Sequence, residues 1–588
     1  MRNVAILTVV FCLAVNVSQA TNYYFSSSSG NDSYTATQAQ SQSTPWKTIV
    51  KINAVMTSLK PGDSILFKKG DTFLIPEGIN TGGLLVKVSG TSTQPIVFSS
   101  YGTGALPIIT LPPLTTWAAG ATAGIYKDSF TIQTCCSFLS EDGIPLTKAS
   151  STALTDGNWY GSGGVVYYKP TSGTPSSHTV TVANINNSYI PGIDLSDQQY
   201  ITVNGIQFNS LGVGVKTYDL TTGTIGLTIQ NCVFNYCQTG IFFMPDVGNN
   251  TNSTFKNNVF YRDQCAIRMY TTSATGNRPG QTWGTHIRCK ILNNQMNQIG
   301  TTDGATHWPS SITGTDFEAI GLQNFMNGTV QGNTTTGGYH IGLSWYNITS
   351  RESSNDTIKG NTFISTGKQA VILIGDQVNG VYNYAYNNNL FCNNVFVNTN
   401  NIQSGNPTFQ IYQGVNATTQ NLLVNNTFVG NINTWYFSES NAPYFIIENN
   451  LVYNAGSYRW VEWSWGTKPA SLTVAYNMYY EDSSNSAGTN CPFAFGSNKS
   501  ITQMQTLLME SHSVAAVNPV FTNPASGTYT LQSTSPAIDA GVNVGLPFSG
   551  KAPDIGAYEY VAASAPPPPP ASVKPPNPAK KSGTPVVY

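Results

Sequence analysis

The sequence predicts an all-β solenoid, because one short phrase repeats along it and no helical periodicity interrupts the repeat. Between residues 201 and 480, an apolar strand, an Asn-containing turn and a second short strand recur about every 24–39 residues. A fixed period in this range, built of short strands, is typical of a solenoid whose coils bury their apolar faces on one another. Copies of the turn and second strand are Asn231-Cys232-Val233-Phe234, Asn257-Asn258-Val259-Phe260, Asn293-Asn294-Gln295-Met296, Gly360-Asn361-Thr362-Phe363, Asn393-Asn394-Val395-Phe396, Asn425-Asn426-Thr427-Phe428 and Asn449-Asn450-Leu451-Val452.

The asparagines of this phrase are predicted to stack. Asn suits the turn of a coil because it tolerates a left-handed backbone and forms local hydrogen bonds. Coils in register would therefore align one Asn per coil in a ladder. The expected members are Asn204, Asn231, Asn258, Asn294, Asn333, Asn361, Asn394, Asn426, Asn450 and Asn477.

This pattern resembles the right-handed parallel β-helix of secreted bacterial, pectate-lyase-like proteins, and the resemblance extends over most of residues 22–560. It implies a fold more than an activity. The same scaffold carries lyases, glycosidases, epimerases and adhesins, so the activity has to be argued from the site. No catalytic motif of the family is recognisable residue by residue.

The chain divides into three parts. Residues 1–20 hold Arg2, an apolar run and a small-residue end at Ala20, which predicts a secretory signal peptide and a secreted or cell-surface protein. Residues 21–560 form the predicted β-helix domain. From residue 561 the composition shifts to Ala, Ser and Pro, including the run Pro566–Pro570, which predicts an extended tail without a core.

Both ends of the predicted solenoid carry capping signals, which it needs because a terminal coil exposes an unpaired edge and an apolar core. The opening segment, from Tyr23 to Phe73, resembles the first coil of secreted β-helix proteins, in which a short helix, here about residues 46–58, covers the open end. The segment 518–560 resembles their terminal segment and is expected to close the other end. Between residues 74 and 200 the strands are less regular, and Gly and Ser clusters indicate an inserted segment.

Composition narrows the classes of partner. Charged residues are only 9% of the chain and the net charge is −1, so there is no electrostatic footprint for nucleic acid. No segment after the signal peptide has the length of apolar residues that spans a membrane. We expect a monomer that acts on a polysaccharide.

Cysteine usage gives no framework of disulfides and no zinc pattern. Cys232, Cys265 and Cys392 fall within coil strands, where buried free thiols are the simpler interpretation. No dense cluster of Asp appears, so a calcium-dependent lyase mechanism is not supported, and no cofactor is predicted.

The candidate site lies on one outward strip. Adjacent strand residues point to opposite faces, so the inward pairs Ile267/Met269, Ile320/Leu322, Ile341/Leu343, Val371/Leu373, Phe409/Ile411 and Val461/Trp463 define the side that faces out. The strip contains Arg268, Tyr270, Gln323, His340, Ser344, Gln410, Tyr412, Tyr436, Trp460 and Glu462, with Asp316 and Glu318 entering from the preceding turn. Insertions at 271–285 and 298–315 are expected to rise as loops beside it.

Two enzymatic chemistries and one binding role fit this strip. Glycoside hydrolysis needs two carboxyl groups, which Asp316 and Glu318, with Asp376 and Glu462 as more distant partners, would supply. A uronate lyase needs a base and a cation that holds the substrate carboxylate, for which His340 and Arg268 are suited, with Lys256 or Lys359 in reserve. Substrate contacts are assigned to Gln323, Tyr412, Tyr436, Trp460 and Glu462. A non-catalytic glycan-binding or adhesive solenoid is the third alternative.

Overall fold

The fold was analysed in a computed structural model of the chain. The structure describes residues 20–562 with internal gaps. The gaps are 77–82, 130–137, 163, 184–189, 220–221, 246–247, 271–283, 301–316, 339–340, 348–351, 368, 376–383, 399–406, 412–414, 431–433, 438–443, 454–460, 464–467, 481–492 and 496. The predicted signal peptide up to residue 19 and the tail from residue 563 lie outside the described residues.

Three long sheets form the walls of a parallel β-helix, which confirms the predicted fold class. The chain passes from sheet A to sheet B to sheet C and returns to sheet A one coil further on. Sheet A contains Asn22–Phe25, Ser64–Lys68, Ile96–Tyr101, Ile201–Asn204, Thr228–Gln230, Thr254–Lys256, Lys290–Leu292, Thr329–Gln331, Thr357–Lys359, Leu390–Cys392, Asn421–Val424, Phe445–Glu448 and Thr473–Ala475. Sheet B contains Thr72–Leu74, Ile108–Thr110, Gln207–Asn209, Val233–Asn235, Val259–Tyr261, Gln295–Ile299, Thr334–Gly338, Thr362–Ile364, Val395–Val397, Thr427–Val429, Leu451–Tyr453, Met478–Tyr480 and Val514–Ala515.

Sheet C is the wall that carries the predicted site. Its strands are Leu84–Leu85, Pro191–Asp194, Val213–Asp219, Thr239–Pro245, Cys265–Met269, Glu318–Gln323, Ile341–Asn347, Val371–Gly375, Phe409–Ile411, Trp435–Phe437, Val461–Trp463, Phe493–Phe495 and the antiparallel Ser497–Lys499. A smaller parallel sheet lines the corner between sheets C and A. It contains Asn250–Thr251, His286–Ile287, Phe325–Met326, Ser353–Ser354, Tyr384–Asn387 and Val415–Asn416.

The core runs along the axis of the coils because the strands alternate inward apolar and outward residues. Identical side chains lie in register on successive coils and stack. The rings of Phe208, Phe234 and Phe260 have centroids 5.1 Å and 4.8 Å apart, with nearly parallel planes. Repetition of one residue type in the sequence thus becomes a continuous aromatic column, and each added coil extends the buried core.

An asparagine ladder forms at the corner between sheets A and B. It consists of eight buried residues, Asn258, Asn294, Asn333, Asn361, Asn394, Asn426, Asn450 and Asn477. From Asn294 onward, each Oδ1 accepts a hydrogen bond from the backbone N–H and from the Nδ2 of the Asn on the preceding coil, whereas Asn258 Oδ1 accepts from the Cys232 N–H. Asn361, for example, accepts both from Asn333 at 3.0 Å, and its own Nδ2 donates to the Val330 carbonyl at 2.9 Å. The ladder therefore satisfies side-chain and backbone groups together.

Two predicted ladder members are wrong. Asn231 lies in the left-handed conformation, with φ of 53°, one position before the ladder, and Cys232 occupies the ladder position of that coil. Asn204 is paired with Gln230 in sheet A, so it lies one residue earlier still. In later coils the left-handed position belongs to the first residue of the pair, such as Asn257, which explains why Asn-Asn repeats so often.

The N-terminal end of the coil stack is covered by the predicted helix. The helix spans Ile49–Val55 and continues as a 3₁₀ turn, Met56–Ser58. The Thr48 hydroxyl caps it by accepting from the Lys51 N–H at 3.1 Å. Ile49, Ile52 and Met56 are buried in the solenoid core, so the helix closes the first coil. A further 3₁₀ turn, Gln38–Gln40, precedes it.

An inserted lobe interrupts the coils between residues 111 and 183. Its five-stranded sheet is ordered Thr147–Lys148, Asn158–Ser162, Val165–Lys169, Tyr126–Ser129 and Ala118–Ala119, and its three-stranded sheet Ile144–Pro145, Phe138–Glu141 and Val180–Ala183. Most of these pairs are antiparallel. Trp159, Val166 and Tyr168 are buried in a small core separate from that of the solenoid. A 3₁₀ turn, Pro175–Ser177, also belongs to the lobe.

The C-terminal segment packs on the flank of the solenoid, whereas it was expected to close the end. Its hairpin, Phe521–Asn523 with Thr528–Leu531, and residues up to 557 bury side chains against sheet B, including Val397, Val429 and Leu451. The end of the coil stack is instead approached by the helix Ile501–Thr506, whose Met504 reaches the main core. A 3₁₀ turn, Pro524–Ser526, joins the hairpin strands.

Three side-chain amides hold this segment in place. Asn393 donates to the Ala557 carbonyl at 3.0 Å, Asn425 to the Asp554 carbonyl at 2.9 Å and Asn449 to the Val542 carbonyl at 2.8 Å. These are the left-handed residues that precede ladder asparagines, so their side chains serve a different partner from those of the ladder.

Cys232, Cys265 and Cys392 are free and buried, as are Cys237 and Cys289. Burial raises the pKa of the Cys232, Cys265 and Cys289 thiols to about 12, so they behave as small apolar side chains. Within the described residues, no helix combines the length and the apolar character that crossing a membrane requires.

Candidate functional site

The register of sheet C aligns one outward-facing residue from each coil. The aligned residues, here called the outward row, are Lys216, Phe242, Arg268, Gly321, Ser344, Ile372, Gln410, Tyr436, Glu462 and Ala494. Their neighbours Ile267, Ile320 and Leu343 are buried in the core. Most of the predicted inward pairs are therefore inside, and the row forms a strip along the outside of the solenoid.

Glu318, Arg268 and Tyr270 form the charged centre of this strip. Arg268 Nε donates to Glu318 Oε2 at 3.1 Å, and the Tyr270 hydroxyl donates to Oε1. The Arg268 guanidinium lies 5.2 Å from the centroid of the Tyr270 ring, a cation–π contact. Glu318 is only 2% exposed, whereas the Arg268 side chain is 21% exposed. A buried carboxylate is thus held by two donors, one of which reaches the surface.

Protonation states at this centre follow from burial and neighbouring charge. Burial lowers the pKa of Arg268, but the acidic groups of Cys265 and Glu318 outweigh it and raise that pKa well above its usual range. Burial and then the charge of Glu318 raise the pKa of Tyr270. At neutral pH, Arg268 is therefore a cation and Tyr270 a hydroxyl donor, so both remain donors to Glu318.

Gly321 leaves the space in which this triad fits. A Cβ at position 321 would lie 2.9 Å from Tyr270 Cε1 and 3.1 Å from Glu318 Oε2. Any larger residue at this outward position would therefore displace both side chains. The absence of a side chain at Gly321 is what allows Tyr270 to reach the carboxylate from the preceding coil.

From Ser344 to Tyr436 the polar residues of the row are uncharged. Gln369 Nε2 donates to Gln410 Oε1 at 2.7 Å, and the two residues are 7% and 6% exposed. Ser344 is buried, and its Oγ has no hydrogen-bond partner among the described residues. Tyr436 is half-buried and follows Gln410 in the row.

The predicted site residues have different outcomes. The structure brings Glu318 and Arg268 into direct contact, on adjacent coils. Gln323 is buried on the strand of Glu318, and Tyr436 lies in the outward row. The backbone of Glu462 pairs with Tyr436, but its side chain is not described. Asp316, His340, Tyr412 and Trp460 lie outside the described residues.

The prediction that Lys256 or Lys359 is a reserve base beside Glu318 is wrong. Both belong to strands of sheet A, where they pair with Leu292 and Cys392, and so they are on a different wall from Glu318. No role was predicted from the sequence for Tyr270, Gly321 or Gln369. A Gly at an outward strand position three residues after an acidic one was the available signal for Gly321.

One group of metal-ligand type lies elsewhere. In the inserted lobe, atoms of Glu141, Asp142 and His178 lie within 4.8 Å of one another. However, His178 Nδ1 faces Asp142 Oδ2 at 2.8 Å and Nε2 faces the Ser172 carbonyl at 2.8 Å. A ring with both nitrogens directed at acceptors is an imidazolium, whereas a metal needs a bare nitrogen. We interpret this group as an ion pair.

The chain was compared with known protein families, proteins and solved structures. No family model matches the chain. A lacto-N-biosidase of Bifidobacterium longum is 37% identical over 90 residues, which are 15% of this chain and 5% of that protein's length. The chain therefore spans a small part of that relative.

Two solved structures show similarity at low identity. The family 136 lacto-N-biosidase of Eubacterium ramulus is 15% identical, with a TM-score of 0.35 and coverage of 72% of this chain and 65% of that chain. The pectate lyase Pel9A is 12% identical, with a TM-score of 0.41 and coverage of 92% and 97%.

Proposed function

We propose that this protein is a secreted carbohydrate-active enzyme that hydrolyses a glycosidic bond of a polysaccharide on the outward face of sheet C. The observation that carries the proposal is the buried carboxylate of Glu318, held by Arg268 at 3.1 Å and by the Tyr270 hydroxyl. A buried ion pair contributes little to folding, because desolvation offsets the attraction. Because charged residues are only 9% of the chain, the position of this pair on the outward face favours a catalytic use.

Glu318 is assigned the role of base or nucleophile. Glycoside hydrolysis requires one carboxylate to activate water or to attack the sugar, and a carboxylic acid to protonate the leaving oxygen. Two donors on Glu318 stabilise the anion and orient it, which suits the first role. For the acid, Asp316, two residues before Glu318 in sequence, is the proposed partner. Glu462 lies five coils from Gly321, about 24 Å at about 4.8 Å per coil, which exceeds the roughly 5–10 Å between the two carboxyl groups of a glycosidase.

Local similarity to a named glycosidase also supports hydrolysis. The 37% identity over 90 residues is to a lacto-N-biosidase, although it covers 5% of that protein. We extend the proposal no further than glycan hydrolysis on this basis. The sugar and the linkage are left to the experiment.

Uronate lysis is a second candidate, and the free end of Arg268 favours it. Only Nε of Arg268 bonds to Glu318, and the two terminal nitrogens have no partner among the described residues. They could hold a substrate carboxylate by a two-point contact. In that case His340 is the proposed base. A non-catalytic glycan-binding solenoid is the remaining alternative.

The test is to incubate the purified protein with neutral and acidic polysaccharides and to measure reducing ends and unsaturated uronate. Hydrolysis gives new reducing ends alone, and lysis gives both signals. Glu318→Gln is expected to lower turnover by about 100-fold or more, as loss of a general acid or base commonly does. The control Glu448→Gln alters a carboxylate on sheet A and should keep full activity.

Full activity of Glu318→Gln on a substrate that the wild type degrades would refute the assignment. Binding to a polysaccharide without either product would instead support the adhesive alternative. Export is tested separately: mature protein beginning at residue 21 would support the proposed signal peptide.

A further inference from the structure

We propose that Gln369 and Gln410 form a subsite for an uncharged sugar unit of the glycan, on the outward row and away from Glu318. The inference rests on the proposed function, because it assigns a substrate class to part of the same face. It is carried by a pair of side-chain amides that hold each other in place and leave one acceptor and one donor free at the surface.

The hydrogen bond within the pair uses one amide atom of each glutamine, so one acceptor and one donor are not used by it. Gln369 Nε2 donates to Gln410 Oε1 at 2.7 Å, which fixes both side chains. Gln369 Oε1 and Gln410 Nε2 then have no further partner among the described residues. The two residues are 7% and 6% exposed, but neither of these atoms is a fully buried group without a partner, so both reach the surface, where a ligand can replace water as their partner.

A second polar group on the same row is also unpaired. Ser344 lies two coils before Gln410 in the register, separated from it by Ile372. It is 0% exposed, and its Oγ has no partner among the described residues. Buried hydroxyls are normally satisfied by protein or by a bound molecule. Sheet C therefore holds three neutral hydrogen-bonding groups on the same side, of which the two amide atoms reach the surface and the Ser344 hydroxyl lies beneath it.

The chemistry of these groups selects an uncharged ligand. A sugar hydroxyl both donates and accepts, so it can donate to Gln369 Oε1 while a second hydroxyl accepts from Gln410 Nε2. Among the described side chains of the row from Ser344 to Tyr436, none is charged. A uronate would find no cation among these described side chains of the row, so the loss of hydration of its carboxylate would not be compensated by them.

The position of the pair separates it from bond cleavage. Gln410 is three coils from Gly321, which adjoins Glu318, and coils about 4.8 Å apart make this about 14 Å. Gln369 and Gln410 therefore contact a sugar remote from the reacting bond. They are specificity-determining residues and take no part in proton transfer.

The experiment is affinity electrophoresis of the full chain in gels that contain neutral polysaccharides (arabinoxylan or galactomannan) or acidic ones (polygalacturonate or alginate). We expect retardation by a neutral polysaccharide for both the wild type and Glu318→Gln. Gln410→Ala is expected to weaken that binding by about tenfold, corresponding to one lost hydrogen bond. The Gln410→Glu variant keeps an acceptor for Gln369 Nε2 but removes the free donor, and should weaken binding similarly.

A matched control is Gln207→Ala. Gln207 Nε2 donates to Asn209 Oδ1 at 2.9 Å on sheet B, so this variant also breaks an amide pair, but on another wall. It should bind as the wild type does. Circular dichroism of each variant verifies that the coils remain folded.

The outcomes separate the two proposals. If Glu318→Gln keeps full turnover, the catalytic assignment fails, whatever the glutamine variants do. If Gln410→Ala and Gln410→Glu bind the neutral polysaccharide as tightly as the wild type, the subsite is refuted even when Glu318 is essential. Retardation of the wild type by acidic polysaccharides only, or by none of the four, also overturns it.

Discussion

The asparagine ladder and the outward row both place polar side chains along the solenoid, but these side chains differ in how many hydrogen bonds they make within the protein. In the ladder, Asn361 makes four side-chain hydrogen bonds, and its neighbours repeat the arrangement. In the outward row, Ser344 Oγ is buried without a partner among the described residues, and in the Gln369–Gln410 pair beside it one acceptor and one donor are free at the surface. The ladder asparagines are satisfied within the protein, whereas the groups proposed to bind a ligand have donors and acceptors free.

The largest expected effect tests the ladder. Asn361→Ala leaves the Asn333 N–H, the Val330 carbonyl and the Asn394 Oδ1 short of a partner in a buried setting. Unsatisfied buried groups cost about 1–3 kcal/mol each, so we expect these three to lower the free energy of unfolding by about 3 kcal/mol or more. Urea unfolding followed by circular dichroism measures it.

The control for that experiment is Asn235→Ala. Asn235 is half-buried and donates once, to Asn209 Oδ1 at 3.3 Å, so its loss should cost less than about 1 kcal/mol. Equal losses for the two variants would show that membership of the ladder confers no special stability, and the comparison would fail.

A second ladder, at the corner that leads into sheet A, contains an acid in place of an amide. Asp356 Oδ1 accepts from the Gly328 N–H at 2.6 Å, and the Asp356 N–H donates to Asn389 Oδ1 at 3.1 Å, as ladder asparagines do. Burial raises the pKa of Asp356 well above its usual range. The carboxyl is therefore neutral, and we expect its O–H to take the place of the asparagine Nδ2.

Asp356→Asn should accordingly stabilise the protein, and more so as the pH rises. A raised pKa in the folded state means that the folded state holds a proton that the unfolded state releases above about pH 4. This contribution to stability is present below the unfolded pKa and is lost as the pH rises toward the folded pKa, by about 1.4 kcal/mol per pH unit. The Asp356→Asn variant has no ionisable side chain at this position, so its stability does not fall with pH for this reason.

Urea midpoints of wild type and Asp356→Asn, measured between about pH 4 and 8, give the difference. The exposed carboxylate of Asp156 provides the control, and Asp156→Asn should not reproduce the slope. A wild type that is more stable than Asp356→Asn at neutral pH would show that the charged carboxylate is required there.

The smaller prediction for the outward row concerns Gly321. An added Cβ meets Tyr270 Cε1 at 2.9 Å and Glu318 Oε2 at 3.1 Å, both near the ends of side chains that can move. Gly321→Ala should therefore lower turnover by about tenfold, since small displacements of a reacting group are costly, with little change in Tm. A loss of stability without a loss of activity would place Gly321 with the folding residues.

The smallest effect is expected in the inserted lobe. Hydrogen bonds to Asp142 and to the Ser172 carbonyl raise the pKa of His178. Its stabilising contribution is thus present below the unfolded pKa of about 6.5 and is lost as the pH rises through the folded value. Hydrogen exchange of His178→Gln should be faster than that of the wild type in the lobe at about pH 5.5 and similar at higher pH. Faster exchange throughout the solenoid would contradict a local role.

The fold was predictable because its cause is local. At the corner between sheets A and B, a coil needs a residue in the left-handed conformation followed by one whose side chain points inward. Two adjacent asparagines, such as Asn257 and Asn258, meet both requirements, so the pair is a local sequence signal for the corner. The same rule fails where another residue takes the inward position, as Cys232 does after Asn231. The sequence pattern could not distinguish those two positions, since Asn is suited to both.

The candidate site was only partly predictable because register is not local. The parity of the strands placed Arg268 outward and identified Glu318 as its neighbour on the strip. Their contact spans 50 residues, across an insertion whose length hides which coil faces which. Nothing in the sequence showed that Gly321, rather than a second charged residue, stands opposite Arg268. Local chemistry sets the face, whereas the pairing of coils sets the contacts.

The terminal segment alters how the solenoid should unfold. A stack of coils is coupled only between nearest neighbours, so its last coils would ordinarily fray one at a time. Here the chain from 521 to 557 lies across several coils and is anchored through Asn393, Asn425 and Asn449. One coil cannot open without releasing the anchors of the others. The segment thus couples these coils, so that they unfold together in one cooperative step instead of one at a time. During folding, it can dock only after those coils have formed.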